Sequence, residues 1–314
     1  MKKISKWFSL VLASLLLLSL FTGFATAETT LKAAMITPQK LGDDGPIDAC
    51  YAGLQAGAEE FGYEIKVLEP QSGEYEDSIR AMADDGYTLI FCIFAQMQDA
   101  VSRVAPEYPD VKFVQILGDL EMDNVKTLNF KDQEASFLSG IAAAKMTKTG
   151  KIAGFEAGAR EANPNIQVTH LYVGSFEDPT KGKELANTLL DEGYDMILEV
   201  CASSSMGIRE AIRERGKDVC MIGNCVDESM SIPGQVPFSN FTNYYSWFYN
   251  TMKEVANGSF QTGVIFQGLK EGAVECKFAA DDVFPVPQEI KDLLAEYQQK
   301  IIDGDITPPD TLEE

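Results

Sequence analysis

The chain has 314 residues, 45% of them hydrophobic, with a formal net charge of −22 and a single histidine. That length holds two compact domains, and so acidic a surface repels nucleic-acid phosphates and anionic lipid. His170 alone could complete a Ser–His or Cys–His nucleophile pair, and neither a G-x-S-x-G nor a phosphate-loop motif occurs, so hydrolase is the weakest reading.

Residues 1–27 carry the pattern of a secretory signal peptide. Lys2, Lys3 and Lys6 precede an apolar run from Phe8 to Phe24, and Ala25-Thr-Ala27 is a cleavage site. An uncleaved membrane anchor is the other reading. No cysteine lies at the cleavage region, so no lipid anchor is expected there. The expected location is extracellular or periplasmic, or at the outer face of the cytoplasmic membrane.

After the leader, strands and helices alternate. Leu31–Thr37 reads as a buried strand, Pro38–Pro46 as a loop rich in Gly, Asp and Pro, and Asp48–Phe61 as a helix. A strand at Tyr63–Leu68, a helix at Tyr75–Asp84 and an unbroken apolar strand at Thr88–Ile93 follow. Gln98–Glu107 is a helix and Lys112–Leu117 a strand. The order then repeats: helix Glu134–Thr147, strand Ile166–Tyr172, helix Thr180–Glu192, strand Asp195–Cys201, helix Met206–Arg215 and strand Val219–Ile222. Tyr244–Asn257 is a helix capped by Gly258, Thr262–Leu269 a strand, and Pro287–Asp303 a last helix before a loose tail. This alternation defines an α/β protein of two doubly wound parallel-sheet lobes.

The chain also repeats itself. Ala52-Gly-Leu-Gln-Ala-Gly-Ala-Glu-Glu is echoed by Ala153-Gly-Phe-Glu-Ala-Gly-Ala-Arg-Glu, and Asp85-Gly-Tyr-Thr-Leu-Ile by Glu192-Gly-Tyr-Asp-Met-Ile. A period of about a hundred residues is that of a whole domain, and a cleft between two related lobes is where a small ligand binds. The copies are unequal. A strand and a long loop precede the first helix of the first half, but only Lys151-Ile152 stands there in the second. One strand and its cleft loop are expected to be missing; a slipped register of the repeat is the alternative.

Ligands of such sheets meet the loops at the carboxyl ends of the strands. Five segments are nominated: Gln39–Asp48, Phe94–Gln98, Gly118–Glu121, Cys201–Met206 and Gly223–Asp227. The candidate contacts are Asp43, Asp44 and Asp48 as polar acceptors, Phe94 as a stacking surface with Gln96 beside it, and Ser203, Ser204 and Asn224 from the second lobe. Asp227 is a hydroxyl acceptor or a structural cap. A solvated acidic loop and a plain helix cap are the alternatives for the aspartate and serine clusters. His170 is expected to be structural, within a strand. The six cysteines form no C-x-x-C, so small buried hydrophobes are expected rather than zinc ligands or disulfides. Neither metal nor cofactor is expected.

Several runs resemble the basic membrane protein (BMP) family of ABC-transporter substrate-binding proteins, which includes purine-nucleoside receptors. They are Asn129-Phe-Lys-Asp-Gln-Glu-Ala-Ser-Phe-Leu-Ser-Gly-Ile-Ala-Ala, Lys148-Thr-Gly-Lys, and Tyr172-Val-Gly-Ser-Phe-Glu-Asp-Pro-Thr-Lys-Gly-Lys-Glu-Leu-Ala. Gly268-Leu-Lys-Glu-Gly and Lys300-Ile-Ile-Asp-Gly-Asp-Ile add to them. The resemblance implies a periplasmic-binding-protein type I fold with three hinge crossings, an ABC permease as partner and a nucleoside-like ligand. The implied lobes are 28–130 plus 236–263, and 131–235 plus 264–314. The family pattern also marks departures. Its first cleft loop is matched at Gly42, Asp43 and Asp48, but Gly45, Pro46 and Ile47 stand at its Ser-Phe-Asn positions. Two of its aspartates fall on Leu117 and Cys225, and its lysine near Thr242. A secreted sensor or interaction protein with an altered or lost ligand site is therefore the second reading.

Overall fold

The computed structural model describes residues 31–42 and 45–311. Segments β1 (Leu31–Ile36), β2 (Tyr63–Leu68), β3 (Leu89–Ile93), β4 (Lys112–Ile116) and β5 (Val125–Phe130) alternate with helices α1 (Pro46–Phe61), α2 (Tyr75–Asp84) and α3 (Gln98–Val104). Together with β11 (Gly263–Gln267) the strands form a parallel sheet of order β11-β5-β4-β3-β1-β2. Its central strands are buried from end to end: all five residues of β3 are inaccessible, as a parallel sheet covered on both faces requires.

The second sheet has the order β12-β10-β9-β8-β6-β7. Its strands are β6 (Lys151–Ala153), β7 (Gln167–Thr169), β8 (Met196–Leu198), β9 (Cys220–Cys225), β10 (Phe238–Thr242) and β12 (Val274–Phe278). Only the β10–β12 pairing is antiparallel. Helices α4 (Asp132–Met146), α5 (Glu156–Ala162), α6 (Pro179–Asp191) and α7 (Ser205–Arg215) cover it, and α9 (Gln288–Asp303) packs on α4. Helix α8 (Tyr244–Asn257) returns to the first lobe and packs on α1.

The sheets exchange chain three times, after Phe130, Thr242 and Gln267. Since β10 belongs to the second sheet and β11 to the first, the last two crossings lie beyond the 236 and 263 positions expected from sequence. Backbone hydrogen bonds lace the crossings together: Lys131 donates to the Gln267 carbonyl (2.9 Å) and Asn243 to that of Ala273 (2.8 Å). The Glu134 carboxylate accepts from the Leu269 N–H at 2.8 Å.

Three strands escaped the sequence reading: β5, β10 and β12. In β5 and β10 the periodicity is masked by buried polar groups. Lys126 of β5 is 3% exposed and ion-paired with Glu254, and Ser239, Asn240 and Thr242 of β10 are all buried. The strand expected to be missing from the second lobe is present, because β6 pairs with β7 on one side and β8 on the other. It is half the length of β1, and the loop behind it is only Gly154-Phe155.

The repeated glycines are explained by close helix packing. A Cβ on Gly53 would stand 2.3 Å from the Tyr245 carbonyl oxygen of α8, and one on Gly57 would stand 2.6 Å from Met252 Sδ. Gly158, the echo of Gly57, faces α4 instead: its Cβ would fall 1.8 Å from the Phe137 carbonyl oxygen. The two helices thus keep the same device for different partners.

Candidate functional site

Among the described residues, five non-glycine residues have positive φ: Phe94, Leu117, Phe155, Ala202 and Cys225. Each follows or ends a strand on the carboxyl side: β3, β4, β6, β8 and β9 respectively. Such conformations cost about 1–3 kcal/mol each and gather where function holds the backbone. They mark the rim at which the sequence placed a ligand.

The first-lobe rim is fixed by amide side chains. Gln115 Nε2 donates to the carbonyls of Phe94 (2.9 Å), Ile116 (3.0 Å) and Leu117 (2.9 Å), bracing two of the strained bends. Gly118 and Asn129 exchange reciprocal hydrogen bonds, and Gln98 Oε1 accepts from the Asp119 N–H.

A cavity of about 480 Å³ opens on the second-lobe rim. The carboxyl ends of β8, β9 and β10 form its floor through Leu198, Asn224, Cys225, Asn240 and Thr242. The first turn of α4 adds Asp132, Gln133 and Ser136, the short turn behind β6 adds Phe155, and Pro309–Thr311 of the tail cross its edge. Gln133 Nε2 holds that tail by donating to Asp310 Oδ1 at 2.6 Å. Burial pushes the Asp132 carboxyl above its ordinary pKa, opposed by a hydrogen bond from Thr242 Oγ1 at 3.4 Å. Burial pushes the Cys225 thiol up to about 12, so it is a neutral wall group at physiological pH.

Of the residues expected from sequence, Asn224 alone lines this cavity. Asp43 and Asp44 lie outside the described residues. Asp48 Oδ1 accepts from the Gly42 N–H at 2.8 Å and so closes its own loop. Phe94 is half-buried against the first-lobe core, and Gln96 and Ser203 are exposed. The Ser204 hydroxyl, wholly buried, accepts from the Asp178 N–H and donates to the Ser175 carbonyl, both at 2.9 Å. Asp227 accepts from the Ser229 N–H and pairs with Lys277 at 3.7 Å, in keeping with its cap alternative. His170 is not inside a strand: β7 ends at Thr169, and His170 is exposed at its tip, beside the cavity. The residues missed, Asp132, Ser136, Asn240 and Thr242, flank the first two crossings. The polar run Ser239-Asn-Phe-Thr242 in a strand was the signal for Asn240 and Thr242; Asp132 and Ser136 lie in the family run that starts at Asn129.

Below the same rim lies a buried carboxylate pair, Glu199 and Glu228, 5% and 7% exposed. Burial first, then the adjacent Glu199 charge, pushes Glu228 up to about 8. Arg209 pairs with Glu228, and Ser205 Oγ donates to Glu199. All six cysteines are free thiols, and no metal-ligating cluster occurs among the described residues.

Two α/β lobes, three crossings and a strained rim around a small cavity define a solute-binding protein of periplasmic-binding-protein type I fold. A solved solute-binding protein of an ABC transporter system from Aeropyrum pernix K1 superposes with TM-score 0.78 at 24% identity, covering 90% of this chain and 94% of that one. One from Conexibacter woesei gives 0.75 at 21% identity, covering 90% and 100%. The Bmp family profile, described as ABC transporter substrate-binding protein PnrA-like, matches residues 30–311, and the chain belongs to that family. Similar relatives are basic membrane protein A2 of Borrelia garinii subsp. bavariensis (27% identical, 88% of both chains) and the ABC transporter nucleoside-binding protein BmpA of Lactococcus lactis subsp. cremoris (28%, 90% of both). A purine-binding protein of Brucella abortus is 28% identical over 91% of this chain and 85% of its own.

Proposed function

We propose that this substrate-binding protein is exported, captures a small nucleoside-like ligand between its lobes, and delivers it to an ABC permease by hinge closure about the three crossings. The cavity of about 480 Å³ at the strand ends carries the reading, because its volume suits a nucleoside and it adjoins the hinge. The nucleoside class is supported by the names of the Lactococcus and Brucella relatives. Among the described residues no helix is long and apolar enough to cross a membrane. Asn224 is the ligand contact we retain with most support; Phe94 and Gln96 would face it from the first lobe.

A second reading, a secreted sensor or interaction protein, is favoured by one observation. Leu171, Tyr172, Phe176 and Val200 stand exposed beside the shortened β6, Tyr172 at 87%. Thermal-shift measurements against nucleosides, nucleobases and sugars separate the two. A ligand-dependent rise in Tm supports capture, since ligand binding to the native state alone stabilises it. No shift with any member of the panel would leave the sensor reading standing.

A further inference from the structure

Four side-chain donors of the cavity beside α4 are turned to protein acceptors. Thr242 Oγ1 is turned to Asp132 (3.4 Å), Asn240 Nδ2 to Ser136 Oγ (3.2 Å), Gln133 Nε2 to Asp310 (2.6 Å) and Asn224 Nδ2 to Cys225 Sγ (3.2 Å). Two acceptors bear on the choice of occupant. Asn240 Oδ1 is buried with no partner, in a side chain that lines the cavity and is 6% exposed. Asp132, also lining it, has no lysine or arginine partner among the described ion pairs, and no lysine or arginine lines the cavity. A buried acceptor without a partner is destabilising, and Asp132, exposed toward the cavity, has no cation beside it. An occupant that donates to Asn240 Oδ1 and brings a positive charge to Asp132 satisfies both.

The backbone does not reverse this balance. The α4 N-terminus adjoins the cavity, but Asp132 and Glu134 stand in its first turn and meet its positive field. The α5 N-terminus likewise carries Glu156, itself paired with Arg160 at 2.6 Å. The remaining wall is apolar, with Phe137, Phe155, Leu198 and Val200. An acceptor-rich floor under an apolar wall fits a flat apolar body bearing one positively charged donor group.

We infer that the ligand carries a protonated amine, which pairs with Asp132 and donates to Asn240, and that phosphate-bearing or carboxylate-bearing relatives of it are rejected. The inference rests on the cavity being the ligand site, as proposed above. It also goes further, since a neutral nucleoside would satisfy that proposal.

One scaffold in three charge states tests it by titration calorimetry on the full chain: 5′-amino-5′-deoxyadenosine, adenosine and adenosine 5′-monophosphate. The amine is expected to bind at least tenfold more tightly than adenosine, and the monophosphate at least tenfold more weakly. Asp132→Asn should shrink the amine-to-adenosine ratio at least fivefold. Should that variant fold poorly, Asn224→Lys, at a half-buried rim position, is expected to reverse the order in favour of the monophosphate. Equal binding of amine and adenosine overturns the amine inference and leaves nucleoside capture standing. Silence from all three probes overturns both.

Discussion

The first βα unit of each lobe does the same topological work with very different material. In the first lobe, β1 has six residues, its loop runs from Thr37 to Gly45, and α1 has 16 residues. In the second, β6 has three residues, the loop is Gly154-Phe155, and α5 has seven. Yet β6 still sits between β7 and β8 and bonds to both. A parallel sheet therefore tolerates loss at the cleft end of a strand as long as its opening residues bridge both neighbours. The loss is felt beyond Ala153, where the chain past β7 and β8 has no strand between. A hollow of about 520 Å³ opens there, lined by Leu171, Tyr172, Phe176 and Val200. In the first lobe the equivalent ends are better covered: Ile36 and Ile93 are inaccessible and Leu68 is half-buried.

The largest expected effect lies in the well-packed lobe. Phe91 is fully buried and stacks on Phe248 with ring centroids 4.2 Å apart. Phe91→Ala should cost about 3–5 kcal/mol in urea unfolding. A loss under about 1 kcal/mol would deny the first lobe its role as the stable half.

The two echoed glycines give the next test. Gly158→Ala drives a methyl into the Phe137 carbonyl, a backbone atom that cannot yield, and should cost about 3 kcal/mol. Gly57→Ala meets the end of a flexible Met252 side chain and should cost about 1 kcal/mol. Equal losses would mean that α4 and α5 are less tightly docked than their geometry indicates.

Hydrogen exchange compares the lobes directly. Amides of 170–173 and 199–200 should exchange at least tenfold faster than those of β1 and β3, because unpaired backbone beside an exposed apolar hollow opens at lower free energy. Uniform protection would show that the short β6 does not weaken its sheet.

The smallest effect is electrostatic and confined to the second lobe. Glu228 has a folded pKa of about 8 against an ordinary 4.5, so between these values the native state binds more protons than the unfolded one. Stability from this group is present below about 4.5 and falls as pH rises through that window to about 8. Glu228→Gln, which keeps an acceptor for Arg209, should flatten the decline of Tm with pH. An unchanged slope would place the proton elsewhere.

Most of the fold was legible because it rests on local rules. Apolar runs gave β1, β3 and β4, and the alternation of strands and helices gave the two lobes. The site was less legible. Asp48, Ser204 and Asp227 are the residue types a ligand needs, but their side chains are used by backbone groups of the protein: Asp48 and Asp227 within their own loops, Ser204 against Asp178 and Ser175. Nothing local distinguishes an aspartate that closes a loop from one that meets a solute. Conversely, Asp132 and Asn240 are 108 residues apart and share one cavity because α4 and β10 meet beside the crossings.

The sequence by itself determined the two α/β lobes, the family signatures and the inequality of the repeat, since periodicity, glycine spacing and charge are properties of the chain read in order. Only the tertiary structure decided that the short copy keeps its strand, that β10 stays in the second sheet, and which acceptors face the cavity. Hydrogen bonds are allotted among groups brought together from distant segments, so a side chain's freedom to bind a ligand is settled only when every nearer partner has been counted.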